Sequence, residues 1–371
     1  MRLLIPLLLL LSLSIQAKYL DTETCKECHE DIHYEHTKSM HYKSSVFSDE
    51  VHQKMKNAAN KTKYSCAICH TPGAKNLRNL MTGAEQPDPK DVRQTDGVSC
   101  YYCHQIKQIY HAKTYNINIS SATNVDKPTF YGNLIDADDS DKHHAEANEI
   151  YKNSEVCMAC HSHKLNKAEF EVCNTKNQHD ATSDCIGCHM PKSPGGNEKF
   201  NKKGRDEYAT HSFLGIHSSE MVKKAVKLEL SYKDGKIELT INNKMGHSII
   251  THPMRLKFAK TVVSRNGKVI WSNFKESPLE DKEATFIMIF ADAEGKKSLP
   301  NKATAYKLNQ NLKANGSKTI HYEVGKLQKG DEVKTTWISY PVNPKIAKKL
   351  GITDKEVSKP IIGAQEAIYI Y

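Results

Sequence analysis

From about residue 222 onward, polar and apolar positions alternate. The runs KLELSY (227–232) and KIELTI (236–241) change face at every residue, as half-buried strands do. Lys233-Asp234-Gly235 between them is a hairpin signal. A second candidate hairpin sets Lys260–Ser264 and Lys268–Trp271 around Arg265-Asn266-Gly267. Thr319–Val324, Glu332–Ser339 and the terminal Ala367–Tyr371 also read as strands. Together they predict a β-rich, sandwich-like domain over 222–371. Residues 190–210 are rich in Pro, Gly, Lys and Asn, and 190–221 is expected to be a linker. Residues 18–189 sustain neither period. Glu30 to Ser45 is expected to be one charged, histidine-bearing helix, and 113–142 a polar insertion. The acidic stretch Asp136, Asp138, Asp139 and Asp141 lacks the Gly and terminal Glu of an EF-hand loop, so a solvated loop is expected there. The predicted class is α+β with two domains: a helix-and-loop domain with little regular structure, then the β-rich one.

The N-terminus reads differently. Arg2 is followed by an apolar stretch from Leu3 to Ile15 and by Ala17, the pattern of a cleaved secretory signal over 1–17. It is short for a membrane span, which takes about 20 apolar residues. The mature chain is therefore expected to be periplasmic or exported, where unprotected thiols pair.

Composition changes the picture through its cysteines. The chain has 371 residues, 38% of them hydrophobic, and a formal net charge of +10. That balance alone suggests disorder or a nucleic-acid partner. Seventeen Tyr, nine Phe and two Trp are too many aromatics for a solvated tail. Ten of the eleven cysteines form five CxxC pairs, and each pair is followed by His: Cys25-Cys28-His29, Cys66-Cys69-His70, Cys100-Cys103-His104, Cys157-Cys160-His161 and Cys185-Cys188-His189.

CxxCH is the attachment signature of c-type haem. Two thiols three positions apart reach two vinyl groups on one porphyrin edge, and the next side chain brings an imidazole to the iron. Zinc knuckles have no need of the histidine after each pair, and a disulfide framework needs no histidine at all. Thioredoxin-like CxxC motifs occur singly beside a βαβ pattern that this chain lacks. Five covalent haems c are expected, forming the core of 18–189 in place of apolar side chains. Their propionates offset the basic polypeptide, and the nucleic-acid reading loses its force.

What fills the sixth position decides the function, because an open iron binds substrate and a closed one passes electrons. His33 and His36 follow His29 on its own side, so each serves a neighbouring haem or none, and each is read as a surface or propionate partner. Met158 and Met190 are read as packing residues; Cys173, left over, is read as a buried inert thiol, with intermolecular pairing or a reactive site as the alternative. The runs CKECHEDIHYEHTKSMH, DGVSCYYCHQI, SEVCMACH and DCIGCHMP, with THSFLGIH (210–217) and NNKMGH (242–247), resemble the multihaem cytochrome c superfamily. That group includes the tetrahaem carrier of hydroxylamine oxidation, cytochrome c nitrite reductase and the octahaem reductases. The resemblance covers roughly 25–260. It implies distal roles for His41, for His143 or His144, and for His211, His217 and His247. Unlike the nitrite reductase branch, no motif here ends in Lys. Where the carrier branch often continues its GH run with Pro-Thr, this chain has Ser248-Ile249-Ile250-Thr251-His252-Pro253, which leaves His252 as a rival to His247.

The expected function is electron transfer through stacked low-spin haems between redox partner proteins, a quinol-side donor and a terminal acceptor. Any membrane association is expected through those partners alone, and oligomers are possible. The enzymatic alternative leaves one haem open, that of Cys100–His104 beside Tyr101 and Tyr102, to reduce a nitrogen or sulfur oxyanion. A third reading has a neighbouring subunit supply one distal histidine.

Overall fold

The computed structural model describes residues 19–121, 127–175, 178–180, 184–195 and 203–371. The stretch read as a signal peptide lies outside them. Among the described residues no helix is long and apolar enough to cross a membrane.

The first half is built of single turns. Short helices at Thr22–Lys26, Ala67–His70, Cys100–His104, Met158–His161 and Cys185–His189 each carry part or all of a CxxCH motif. One helical turn brings positions three apart onto a common face, so both thiols of a motif point the same way. Local caps hold three of these turns: Asp21 accepts from the Thr24 amide at 2.9 Å, Ser99 from that of Tyr102 at 3.2 Å, and Asp184 from that of Gly187 at 2.9 Å. The longest helices here among the described residues are α1 (Glu30–Lys38) and α2 (Glu50–Ala59). The expected single helix from Glu30 to Ser45 is corrected. Ser39 leaves the helix in an extended conformation, and a 3-10 turn follows at Tyr42–Ser44. The break turns His41 inward.

Gly97 makes that turn possible. Its φ is +60°, and a Cβ there would sit 2.5 Å from the Tyr42 carbonyl and 2.6 Å from that of His41. The Val98 amide then donates to the His41 carbonyl at 3.0 Å.

The acidic stretch is paired rather than merely solvated. Arg205 binds Asp136 at 2.6 Å, Lys203 binds Asp138 at 3.3 Å, and His144 binds Asp139 at 2.6 Å. The segment that follows the last motif has structure of its own, since Lys192–Pro194 pairs antiparallel with Glu207–Ala209.

The second half is two antiparallel sheets. The first has β1 (Val226–Lys233) and β2 (Lys236–Asn243) with Ser317–Glu323 on the other edge of β2. The second joins β3 (Leu256–Arg265), β4 (Lys268–Ser272), β5 (Thr285–Ala291), β6 (Ala305–Gln310), β7 (Glu332–Tyr340) and β8 (Ile361–Tyr369) in the order β6-β5-β3-β7-β8, with β4 on β3. Asp234 and Gly235, like Asn266 and Gly267, have positive φ, which two-residue hairpins require. Leu228, Leu239 and Ile241 of the first sheet meet Ala259, Phe286, Met288 and the fully buried Trp337 of the second. This packing of one sheet on another is the expected α+β class, with β5 and β6 added to the strands read above.

The halves interlock. The Asn166 amide donates to the carbonyls of Pro300 (2.8 Å) and Ala303 (2.7 Å), and the Thr353 amide donates to the Glu50 carboxylate at 3.0 Å. Val51 and Met55 of α2 pack on Met254, Val342 and Ala347, the last of these in α3 (Pro344–Leu350).

Candidate haem-binding sites

All fifteen motif residues line one continuous cavity of about 3330 Å³. A pocket for one drug-sized ligand measures about 300–1,000 Å³, so the space is several ligands large. No two of the eleven cysteines are joined, and among the described residues no three His, Cys, Asp or Glu side chains converge as a metal cage. The thiols are not gathered into zinc knuckles.

Imidazoles face one another across this cavity in four places. The ring centroids of His29 and His143 are 6.4 Å apart, those of His41 and His161 5.9 Å, those of His104 and His211 6.2 Å, and those of His189 and His247 6.5 Å. Two metal–nitrogen bonds of about 2 Å each, plus the two half-rings, require a separation of about 6 Å. Each pair joins a motif histidine to one far away in the chain.

Hydrogen bonds sort the histidines further. A metal-bound imidazole donates its other N–H to an acceptor, which leaves a lone pair for the metal. The Nδ1 of His143 donates to the His144 carbonyl at 3.2 Å, that of His211 to Ala209 at 2.9 Å, and that of His247 to Ser248 at 2.8 Å. On the motif side, His104 donates to Tyr131 at 2.7 Å and His189 to Leu214 at 2.5 Å. Burial holds His41 and His211 down to about 3 and His247 to about 4, so their rings are neutral at pH 7, as ligation demands.

The remaining histidines are otherwise engaged. His33 Nε2 pairs with Glu23 at 3.1 Å, and His36 Nε2 donates to the Val98 carbonyl at 3.0 Å. His144 is turned outward onto Asp139. His217 lines the cavity but faces no motif histidine; it stands near Arg255, and burial brings it down to about 4. His104, which the enzymatic alternative leaves open, has His211 across from it; the motif histidine without a partner at about 6 Å is His70. The sequence reading missed His52 and Arg255, and left His252 only as a rival. All three line the cavity, His52 and His252 close to His70 and Arg255 close to His252, and no local motif signals them.

Sulfur contacts order the motifs. Cys25 meets Cys100, Cys69 meets Cys160, and Cys157 meets Cys185. The fourth motif therefore uses both its thiols against neighbours. Cys173 sits beside Cys66 and Cys69 and is exposed at the surface, with its thiol raised above the usual range by the desolvation around it.

The residues present thus fit haem c: paired thiols on one face, an imidazole beside them, and a wide cavity with neutral imidazoles across it. Comparison with known proteins agrees. Residues 24–105 match the family described as cytochrome c554 and c-prime. Among solved structures, a penta-haem cytochrome c552 from Thermochromatium tepidum superposes with a TM-score of 0.78 at 23% identity, over 95% of this chain and 99% of that one. No curated protein sequence matches.

Proposed function

We propose that the chain is a member of the multihaem cytochrome c superfamily, supported by the match of residues 24–105 and by the shared fold, and that it is an exported five-haem electron-transfer protein. The observation that carries this reading is the set of four facing imidazole pairs around one cavity that all five CxxCH motifs line. Bound at each motif, haem c supplies a one-electron centre. The chain's own residues do the rest. His41, His143, His211 and His247 are the residues that would close four of the haems against exogenous ligands, and backbone hydrogen bonds keep the rings of His143, His211 and His247 oriented. All-imidazole ligation favours low potentials. The sulfur contacts bring the first motif beside the third and both the second and fifth beside the fourth, which makes the fourth a junction. The signal-like residues 1–17 support export, and redox partner proteins on either side follow from the carrier role.

The test is a haem count by pyridine haemochrome with paramagnetic resonance on the same sample. Five haems per chain, four or more of them low-spin, are expected. A colourless protein with ten free or bridged thiols would refute the reading.

A further inference from the structure

The four facing pairs are not alike. The ring planes of His29 and His143 lie 28° apart, those of His104 and His211 28°, and those of His189 and His247 12°. The planes of His41 and His161 lie 55° apart. His41 also differs in what holds it. The rings of His143, His211 and His247 each donate to a backbone carbonyl. Among the described residues the His41 ring makes no hydrogen bond, so packing alone orients it.

That packing is against Phe213. The two ring centroids are 4.2 Å apart with their planes at 68°, an edge-to-face contact. Phe213 also meets His211 at 5.8 Å and 84°, and His36 at 6.4 Å and 82°. One phenyl ring thus stands between the imidazoles that face the third and fourth motifs.

The backbone under this ring is strained. Phe213 has a φ of +46°, which a bulky L side chain adopts only where its surroundings hold it. Both flanks are tied down. The His211 amide donates to the Glu35 carboxylate at 2.7 Å, and the Leu214 carbonyl accepts from His189 of the fifth motif. Residues 211–214 therefore serve the imidazoles of the third, fourth and fifth motifs at once.

We propose that Phe213 is a positioning residue for electron transfer, a wedge that holds the His41 ring out of plane with His161. The consequence is a raised potential for the haem that Cys157, Cys160 and His161 would hold. Axial ligands and the groups that orient them set such potentials. Parallel imidazoles split the two iron d orbitals of π symmetry. Ferric iron has three electrons in that pair and gains from the splitting, whereas ferrous iron has four and gains nothing. Turning one ring away from parallel removes part of the ferric gain, so the reduced state is favoured. The fourth motif is the one whose thiols meet both the second and the fifth, and a raised potential there holds the electron where the routes join. This inference rests on the five-haem reading, because ring orientation is read out through the attached haem.

The experiment is paramagnetic resonance of the oxidised holoprotein, with haem count by pyridine haemochrome and a potentiometric titration on the same preparation. One haem's share of the low-spin signal is expected at a larger maximum g than the signals of the other three facing pairs. His41→Ala should abolish that signal. Phe213→Gly removes the ring and relieves the positive φ, so the backbone conformation is retained. In this variant the distinct signal should join the other three, and one midpoint potential should fall. Phe213→Tyr, which keeps the ring, should preserve both signal and potential. Should Phe213→Gly not fold, Phe213→Asn, small and tolerant of positive φ, gives the same reading. Five attached haems whose four facing-pair signals share one maximum g overturn the wedge and leave the carrier reading standing. So does a Phe213→Gly protein with signals and potentials unmoved, since Phe213 then only fills space. Fewer than five haems, with free motif thiols, remove the underlying reading and the wedge with it.

Discussion

The two halves of this chain solve the problem of an interior by opposite means. In 222–369, two sheets bury Leu239, Ile241, Phe286 and Trp337 in a cluster of fifteen core residues. In 19–195 the apolar clusters are small: five buried residues around Tyr64 and Leu80, and three around Ile106. What occupies the centre of that half is the cavity walled by CxxCH motifs. Polypeptide burial accounts for the fold of the second half, whereas the first lacks the apolar area to offset its chain entropy without a cofactor.

That contrast is open to direct attack. The largest effect comes from withholding haem. A chain with its motif cysteines replaced by serine should lose amide protection throughout 19–195 and keep it in β1–β8, as hydrogen exchange would show; uniform protection in both halves would end the comparison. Next is Trp337→Ala. It empties a fully buried site and should cost the β domain about 3–5 kcal/mol, while the absorption of correctly attached haem is retained in the protein that remains folded. A third change works on one site only. His211→Ala should turn the haem of His104 high-spin and leave all five attached, because the distal imidazole closes a coordination position and bears none of the covalent attachment; an unaltered resonance spectrum would show that His211 is not the ligand.

The smallest effect is a pH dependence confined to the β domain. Arg265 binds Asp331 through Nε at 2.8 Å and Nη2 at 2.9 Å, and the Gln328 amide adds a bond at 2.7 Å. The Arg265 hydrogen bond first, then that from Gln328, holds the carboxyl down to about 2. A carboxyl lowered on folding stabilises the native state above its unfolded value of about 3.9, and the gain fades as pH falls from about 4 through about 2. Asp331→Asn should flatten this slope in thermal denaturation between those pH values and leave the midpoints of the haems unmoved.

Legibility along the chain follows the range of the forces involved. The Asp234-Gly235 and Asn266-Gly267 hairpins could be read because positive φ and strand alternation are local. β5 escaped because TFIMIFA is a near-continuous apolar run, buried on both faces in the middle of a sheet, and its partner β6 lacks a clean alternation. β8 was read from Ala367 although it begins at Ile361. The helix at Glu30 stopped early because the Ser39 break and Gly97, more than fifty positions on, together decide where His41 goes.

The sequence by itself determined the chemistry: five CxxCH motifs, an all-histidine set of motif ligands, and a cysteine-free β-rich tail. Covalent attachment needs only neighbours three and four positions apart, so one turn of backbone suffices. The tertiary structure alone decided which imidazole meets which. His143 rather than His144 turns inward, His247 rather than His252 offers a ring to a motif histidine, and His70 is left without a partner ring at about 6 Å. Those outcomes depend on which ring nitrogen a distant backbone amide or carbonyl engages, and a residue's type carries no record of that.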